Sequence, residues 1–237
     1  MSRAAPPKEP HDRAITGRLN WLRAGVLGAN DGIVSVAAVV VGVAGATNEL
    51  GPILTAGVAA VAGGAVSMAL GEYVSVSSQS DAEKALIAKE SAELRDYPEE
   101  ELAELAGLYE AKGLSPETAK KVAEELTAHD ALGAHLSAEL DIDPTQIVNP
   151  WKAALASAIS FVLGSAVPFA TILLPGEWRV PVTFVVVLLA LAATGAVGAR
   201  LGGSPVLRAA VRVVVGGALA LAVTFAIGTL LGTSGIV

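Results

Sequence analysis

Five long apolar runs limit what this chain can fold into. Residues 50–71, 153–176, 180–199 and 213–237 contain no charged side chain, and each is long enough for a helix to cross roughly 30 Å of hydrocarbon. The run 24–46 is as apolar apart from Asn30 and Asp31; its full length and its carboxylate mark it as a retained span rather than a cleaved signal. With 53% hydrophobic residues and a mean hydropathy of +0.58, the chain reads as an all-α membrane protein of five transmembrane helices.

Between the second and third spans the composition changes. Residues 75–148 hold 17 of the 23 acids against 6 Lys and Arg, a net charge of −11. Local signals divide this stretch into three to four helices. One runs from about Asp81 to Asp96 and stops before Pro98, and a second over 98–112 is closed by Gly113. A third is opened by Ser115-Pro116-Glu117, and a short fourth over 130–140 ends at Asp143-Pro144. The organisation is therefore a basic amino-terminal segment (1–23), spans one and two (24–74), an acidic helical domain (75–149) and spans three to five (150–237).

Basic residues set the expected orientation. Arg3, Lys8, Arg13, Arg18 and Arg23, the basic residues of the acidic domain with Lys152, and Arg200, Arg208 and Arg212 all fall on one side of a five-span topology. Arg179 alone falls on the other. The amino end and the acidic domain are expected in the cytoplasm and Val237 outside. A net charge of −7 favours cations and argues against nucleic acid. No cysteine is present, so thiolate metal sites and Cys nucleophiles are excluded.

Asp31 is the most informative residue, because a carboxylate inside a span costs several kcal/mol unless it meets a cavity, a partner or a cation. Gly28, Ala29, Asn30 and Gly32 surround it with small or oxygen-bearing neighbours. Its alternative role is capping or pairing near the inner interface with Arg23 or Lys152. Met68, the one methionine besides the initiator, offers a soft thioether suited to transition metals or simple packing, and Glu72 follows at the end of the same span. In the acidic domain Glu90 and Glu93, and Glu101 and Glu104, are spaced i, i+3, so each pair shares a helical face. Opposed across a hairpin they form an oxygen-rich cage for Fe²⁺, Mn²⁺ or Zn²⁺; a solvated charged face is the plain alternative. His135 and Glu139 add an i, i+4 pair. A di-iron enzyme needs two Glu-x-x-His motifs, which are absent, and so is the Gly-x-x-x-x-Gly-Lys-[Ser/Thr] loop of ATP-driven machines. Ion-coupled secondary transport without a prosthetic group is left.

The stretch 23–35, Arg23-Ala24-Gly25-Val26-Leu27-Gly28-Ala29-Asn30-Asp31-Gly32-Ile33-Val34-Ser35, and the stretch 67–79 from Ser67-Met68-Ala69-Leu70-Gly71-Glu72 to Gln79 resemble the vacuolar iron transporter family. Asp130-Ala131-Leu132-Gly133-Ala134-His135 and Gly164-Ser165-Ala166-Val167-Pro168 extend the likeness, which covers the chain from about Leu19 onwards. The resemblance, to bacterial members in particular, implies a homodimer in the cytoplasmic membrane with its ion path at the interface. It implies export of Fe²⁺ or Mn²⁺ from the cytosol in exchange for protons, and no enzyme activity. Asp31 and Met68 would line the path with Glu72 close by. Glu90, Glu93, Glu101, Glu104 and Glu139 would form the collecting site, with His135 standing where plant members place a thioether. The rival readings are a metal-gated channel or sensor, and a membrane anchor that recruits a basic partner.

Overall fold

A computed structural model describes residues 13–143 and 148–234, with side chains from Ala24 onwards. Arg3, Lys8, Pro144 and Val237 lie outside the described residues, as do the side chains of Arg13, Arg18 and Arg23. The described residues form seven helices and one 3₁₀ turn, with no strand among them. They are α1 (Arg13–Ala46), α2 (Leu50–Asp96), α3 (Pro98–Ala111), α4 (Pro116–Ala138), α5 (Pro150–Ile172), the turn Gly176–Trp178, α6 (Arg179–Leu201) and α7 (Val206–Thr233). Five of them, α1, α2, α5, α6 and α7, are long and apolar enough to cross a membrane. The chain divides into two compact units, residues 75–149 forming one and the remainder the other.

The sequence predicts the second span and the first acidic helix as separate elements, whereas α2 runs unbroken through 47 residues. No proline or glycine interrupts residues 72–96, so nothing in the backbone stops the helix as its side chains change from apolar to charged. α7 likewise starts at Val206 rather than Val213 and takes Arg208 and Arg212 into its first turns.

In the spanning unit α1 is the central helix. One face, Ile33, Ala37 and Val41, packs with Val187, Leu191 and Leu221 of α6 and α7. Another, Val36 and Val40, packs with Ile53, Phe161 and Ile172 of α2 and α5. Lipid removes most of the hydrophobic drive between spans, so close packing of small residues must hold them. A β-carbon on Gly32 would lie 2.1 Å from the Phe161 carbonyl oxygen, and one on Gly164 would lie 2.2 Å from that of Ala29. At the far end of α1 the same holds for Gly228 against Gly42 and Gly232 against Ala46. Backbones thus touch at both crossings. Arg179 is buried and donates from Nε to the Leu174 carbonyl (3.2 Å) and from Nη1 to that of Asn48 (3.1 Å), tying the α1–α2 and α5–α6 connections together.

The acidic unit owes its outline to capping. Pro98 opens α3 with Glu99, Glu100 and Glu101 in the first turn, where carboxylates suit the helix dipole. Gly113 ends α3 with φ +100°, a conformation that favours glycine. Ser115 caps α4 by accepting from the Thr118 N–H at 3.4 Å. α4 then breaks at Asp130 (φ −160°, ψ 88°). The Asp130 Oδ1 accepts from the Gly133 N–H at 3.0 Å, so Asp130 is the N-cap of a second short segment that carries His135. The interior of this unit is small: Leu105, Ala119, Ala123 and Leu136 are its fully buried apolar side chains.

Candidate metal centre

Three elements bring four ligand-bearing residues together in the acidic unit. Glu90 comes from the charged end of α2, Glu101 from the first turn of α3, and His135 and Glu139 from the segment beyond the Asp130 kink. His135 is fully buried, while Glu90 is 3% and Glu101 7% exposed. His135 Nδ1 lies 2.9 Å from Glu90 Oε1, 3.5 Å from Glu101 Oε2 and 3.9 Å from Glu139 Oε2. Three carboxylates therefore converge on one ring nitrogen.

The closest of these contacts is not a hydrogen bond. His135 Nδ1, His135 Nε2 and Glu90 Oε1 are all buried without a hydrogen-bond partner, because the short approach lacks the alignment a proton bridge requires. Buried polar atoms left in this way cost about 1–3 kcal/mol each, and more when charged. A divalent cation accepting lone pairs from His135 Nδ1 and Glu90 Oε1 would satisfy two of these three atoms. Two donors about 2.1 Å from one ion, at right angles, stand about 3.0 Å apart, which matches the Glu90–His135 separation. Glu90, His135 and Glu139 each present a ligand atom within 4.8 Å of the others. One nitrogen with several carboxylate oxygens is a borderline donor set suited to Fe²⁺, Mn²⁺ or Zn²⁺.

Electrostatics point the same way. Burial, reinforced by Glu139, pushes the Glu90 carboxyl above the ordinary carboxylate range, and burial followed by Glu104 does the same to Glu101. His135 acts in the opposite sense on both. Both shifts mean that burial disfavours the charged carboxylates, an effect a bound cation would offset.

The i, i+3 pairs do not contribute equally. Glu90 and Glu101 point inward, whereas Glu93 is half-buried and paired with Lys89 at 2.8 Å, and Glu104 is exposed. In the spanning unit Asp31 is half-buried and its Oδ1 accepts from Ser35 Oγ at 2.8 Å, one turn along α1. Met68 is half-buried against the Phe161 cluster. Glu72 is half-buried beside Tyr73, whose ring packs on Trp151 with centroids 4.7 Å apart. One feature escapes sequence reasoning. Thr194 of α6 donates to the amide oxygen of Asn30, next to Asp31, and this pairing across 164 residues leaves no local signal. The Asp130 cap is different, because Asp three residues before Gly133 is a legible N-cap pattern.

Comparison with known proteins identifies a family. A model of the VIT family matches residues 22–229. A vacuolar iron transporter of Acanthamoeba castellanii is 45% identical, covering 94% of this chain and 84% of its own. Vacuolar iron transporter homolog 1 of Oryza sativa subsp. japonica is 37% identical over 98% of this chain and 84% of its own. Vacuolar iron transporter homolog 4 of Arabidopsis thaliana is 34% identical, with shares of 92% and 88%. With the acidic unit, the motifs and nearly all of the apolar spans inside the matched region, this chain belongs to the VIT family of integral membrane transporters.

Proposed function

We propose that this chain exports Fe²⁺ or Mn²⁺ from the cytosol across a bacterial cytoplasmic membrane in exchange for protons. The observation that carries the proposal is the buried His135 imidazole facing three carboxylates without a hydrogen bond. The relatives named as iron transporters support iron as cargo. The acidic unit, on the cytoplasmic side, collects the ion through Glu90, Glu101, His135 and Glu139, with Glu93 and Glu104 adding attraction at the rim. Asp31, Met68 and Glu72 serve the path through the membrane. Protonation of Asp31 from the far side releases the ion, because a carboxylic acid is a far poorer ligand than a carboxylate.

The working unit we propose is a homodimer joined along α2. Ala59, Gly63, Ser67 and Gly71 recur every fourth residue on α2 and are all exposed; a β-carbon on Gly63 or Gly71 would meet nothing within 4 Å. Small residues at this spacing let two helices approach closely in lipid.

The test is Fe²⁺ and Mn²⁺ uptake into proteoliposomes under an imposed pH gradient, comparing the parent with Asp31→Asn and with Glu90→Gln/Glu101→Gln. Uptake should follow the gradient, vanish in the first variant and require more metal in the second. Uptake indifferent to the gradient would replace the exchanger with a metal-gated channel. No uptake of either ion would leave a sensor or an anchor.

A further inference from the structure

No acid follows Glu177 in the sequence, so α6, α7 and their linker carry Arg179, Arg200, Arg208 and Arg212 with no carboxylate. Arg179 is satisfied by the two carbonyls described above. The other three are exposed, and none has an ion-pair partner among the described residues.

Their placement is defined by the hairpin. The Gly203 N–H donates to the Arg200 carbonyl at 3.4 Å and the Ser204 N–H to that of Ala199 at 2.8 Å, with Gly203 at φ +65°. This tight turn sets the end of α6 beside the start of α7. A β-carbon on Gly195 would lie 3.1 Å from the Ala210 Cα, so the Ala210 side of α7 faces α6. Arg208 and Arg212 lie two residues either side of Ala210, about 200° round the helix. They therefore share the opposite face, one turn apart. Beside them runs a stripe of exposed apolar side chains, Leu207 (78%), Val211 (51%), Val215 (61%) and Leu219 (65%), the surface a spanning helix shows to acyl chains.

Depth follows from length. α7 has 28 residues, about 42 Å at 1.5 Å each, against roughly 30 Å of hydrocarbon. Its surplus falls at the amino end, because the charge-free run begins only at Val213. Arg208 and Arg212 thus sit in the headgroup layer, where lipid phosphates are the available anions. The planar guanidinium fork matches a phosphodiester through two parallel hydrogen bonds. We infer that Arg208 and Arg212, with Arg200 across the turn, form a headgroup site for an anionic phospholipid. The bound lipid pins the depth of the α6–α7 hairpin, independently of what the acidic unit binds.

The test uses the purified full chain in a neutral detergent, melted with added phosphatidylglycerol, phosphatidylcholine or sodium phosphate. Phosphatidylglycerol should raise the melting temperature a few degrees beyond phosphatidylcholine, with the gain fading at high salt. R208Q/R212Q should lose at least half of that gain, and R208K/R212K should keep part of it. An equal response to both lipids, a full gain in R208Q/R212Q, or the same gain from millimolar inorganic phosphate would overturn the inference. Should the double variant fail to fold, the single variants R208Q and R212Q are compared by counting phosphatidylglycerol retained per chain in native mass spectrometry. Retention equal to the parent's in both would overturn it as well.

Discussion

Replacing Asp130 by alanine should disable the metal site from outside it. Among the described residues no hydrogen bond or ion pair joins Asp130 to the four ligand residues, yet it ends the first part of α4 and caps the segment that carries His135. Loss of an N-cap carboxylate costs about 1 kcal/mol. Alanine also favours continuous helix over aspartate by roughly 0.5 kcal/mol, so the balance between kinked and straight α4 shifts by about 1.5 kcal/mol. In a straight helix the His135 ring leaves the Glu90 carboxylate. Affinity falls with the fraction of chains that remain kinked, and where the two forms start evenly populated a shift of about 1.5 kcal/mol lowers it about sevenfold. Isothermal titration of the full chain in detergent with Mn²⁺ reads this directly. Asp130→Asn and Asp130→Ser keep a cap and should stay within about threefold of the parent. Parent-like binding by Asp130→Ala, or an equal loss in the Asn and Ser variants, would refute the idea that the cap positions the site.

Three further outcomes follow from the packing and the charges. Gly32→Ala places a methyl against the Phe161 carbonyl and should destabilise the spans by roughly 1–3 kcal/mol, whereas Gly63→Ala, in open space, should leave the melting temperature of the detergent-solubilised protomer within a degree or two. Thr194→Val removes the hydrogen bond to Asn30 and should cost roughly 0.6–2 kcal/mol in melting experiments, with transport reduced and largely restored in Thr194→Ser; full transport by the Val variant would show that the bond is dispensable. The pH dependence has a definite sign. Carboxyls raised above the ordinary 4.5 hold their protons more tightly in the folded chain, so their contribution is fully present below that value and is lost as pH rises through the raised ones. The metal-free chain, with His135, Glu93, Glu104 and Glu139 around these groups, should melt progressively lower across that window. Saturating Mn²⁺, or Glu90→Gln/Glu101→Gln, should flatten the trend, and a trend that persists in the double variant would place its origin elsewhere.

The spans were legible because lipid imposes one pattern, an uninterrupted apolar run, that needs no knowledge of neighbours. Glu90, Glu101, His135 and Glu139 were legible as ligand types at helical spacings. Which acid of each pair turns inward was not, because that depends on how α2, α3 and the kinked α4 meet around Leu105 and Leu136. The Lys89 contact that occupies Glu93 is a choice among side chains of equal reach. The continuity of α2 past Gly71 was missed for a simpler reason: composition changes at the membrane boundary, but backbone geometry does not. Asn30 and Thr194 lie too far apart in sequence for any periodicity to join them.

The glycine-lined crossings of α1 also bear on how such a chain can diverge. At Gly32, Gly164, Gly228 and Gly232 the neighbour is backbone, which has no rotamer to move aside, so even a methyl requires two helices to separate. A ligand is less constrained: an acid can lengthen, or an imidazole give way to a thioether, and the cage still closes on some cation. Mutational drift should therefore be slowest where the chain has no side chains and faster where it holds metal. Lineages built on this scaffold are expected to inherit the same bundle while exchanging one cargo for another.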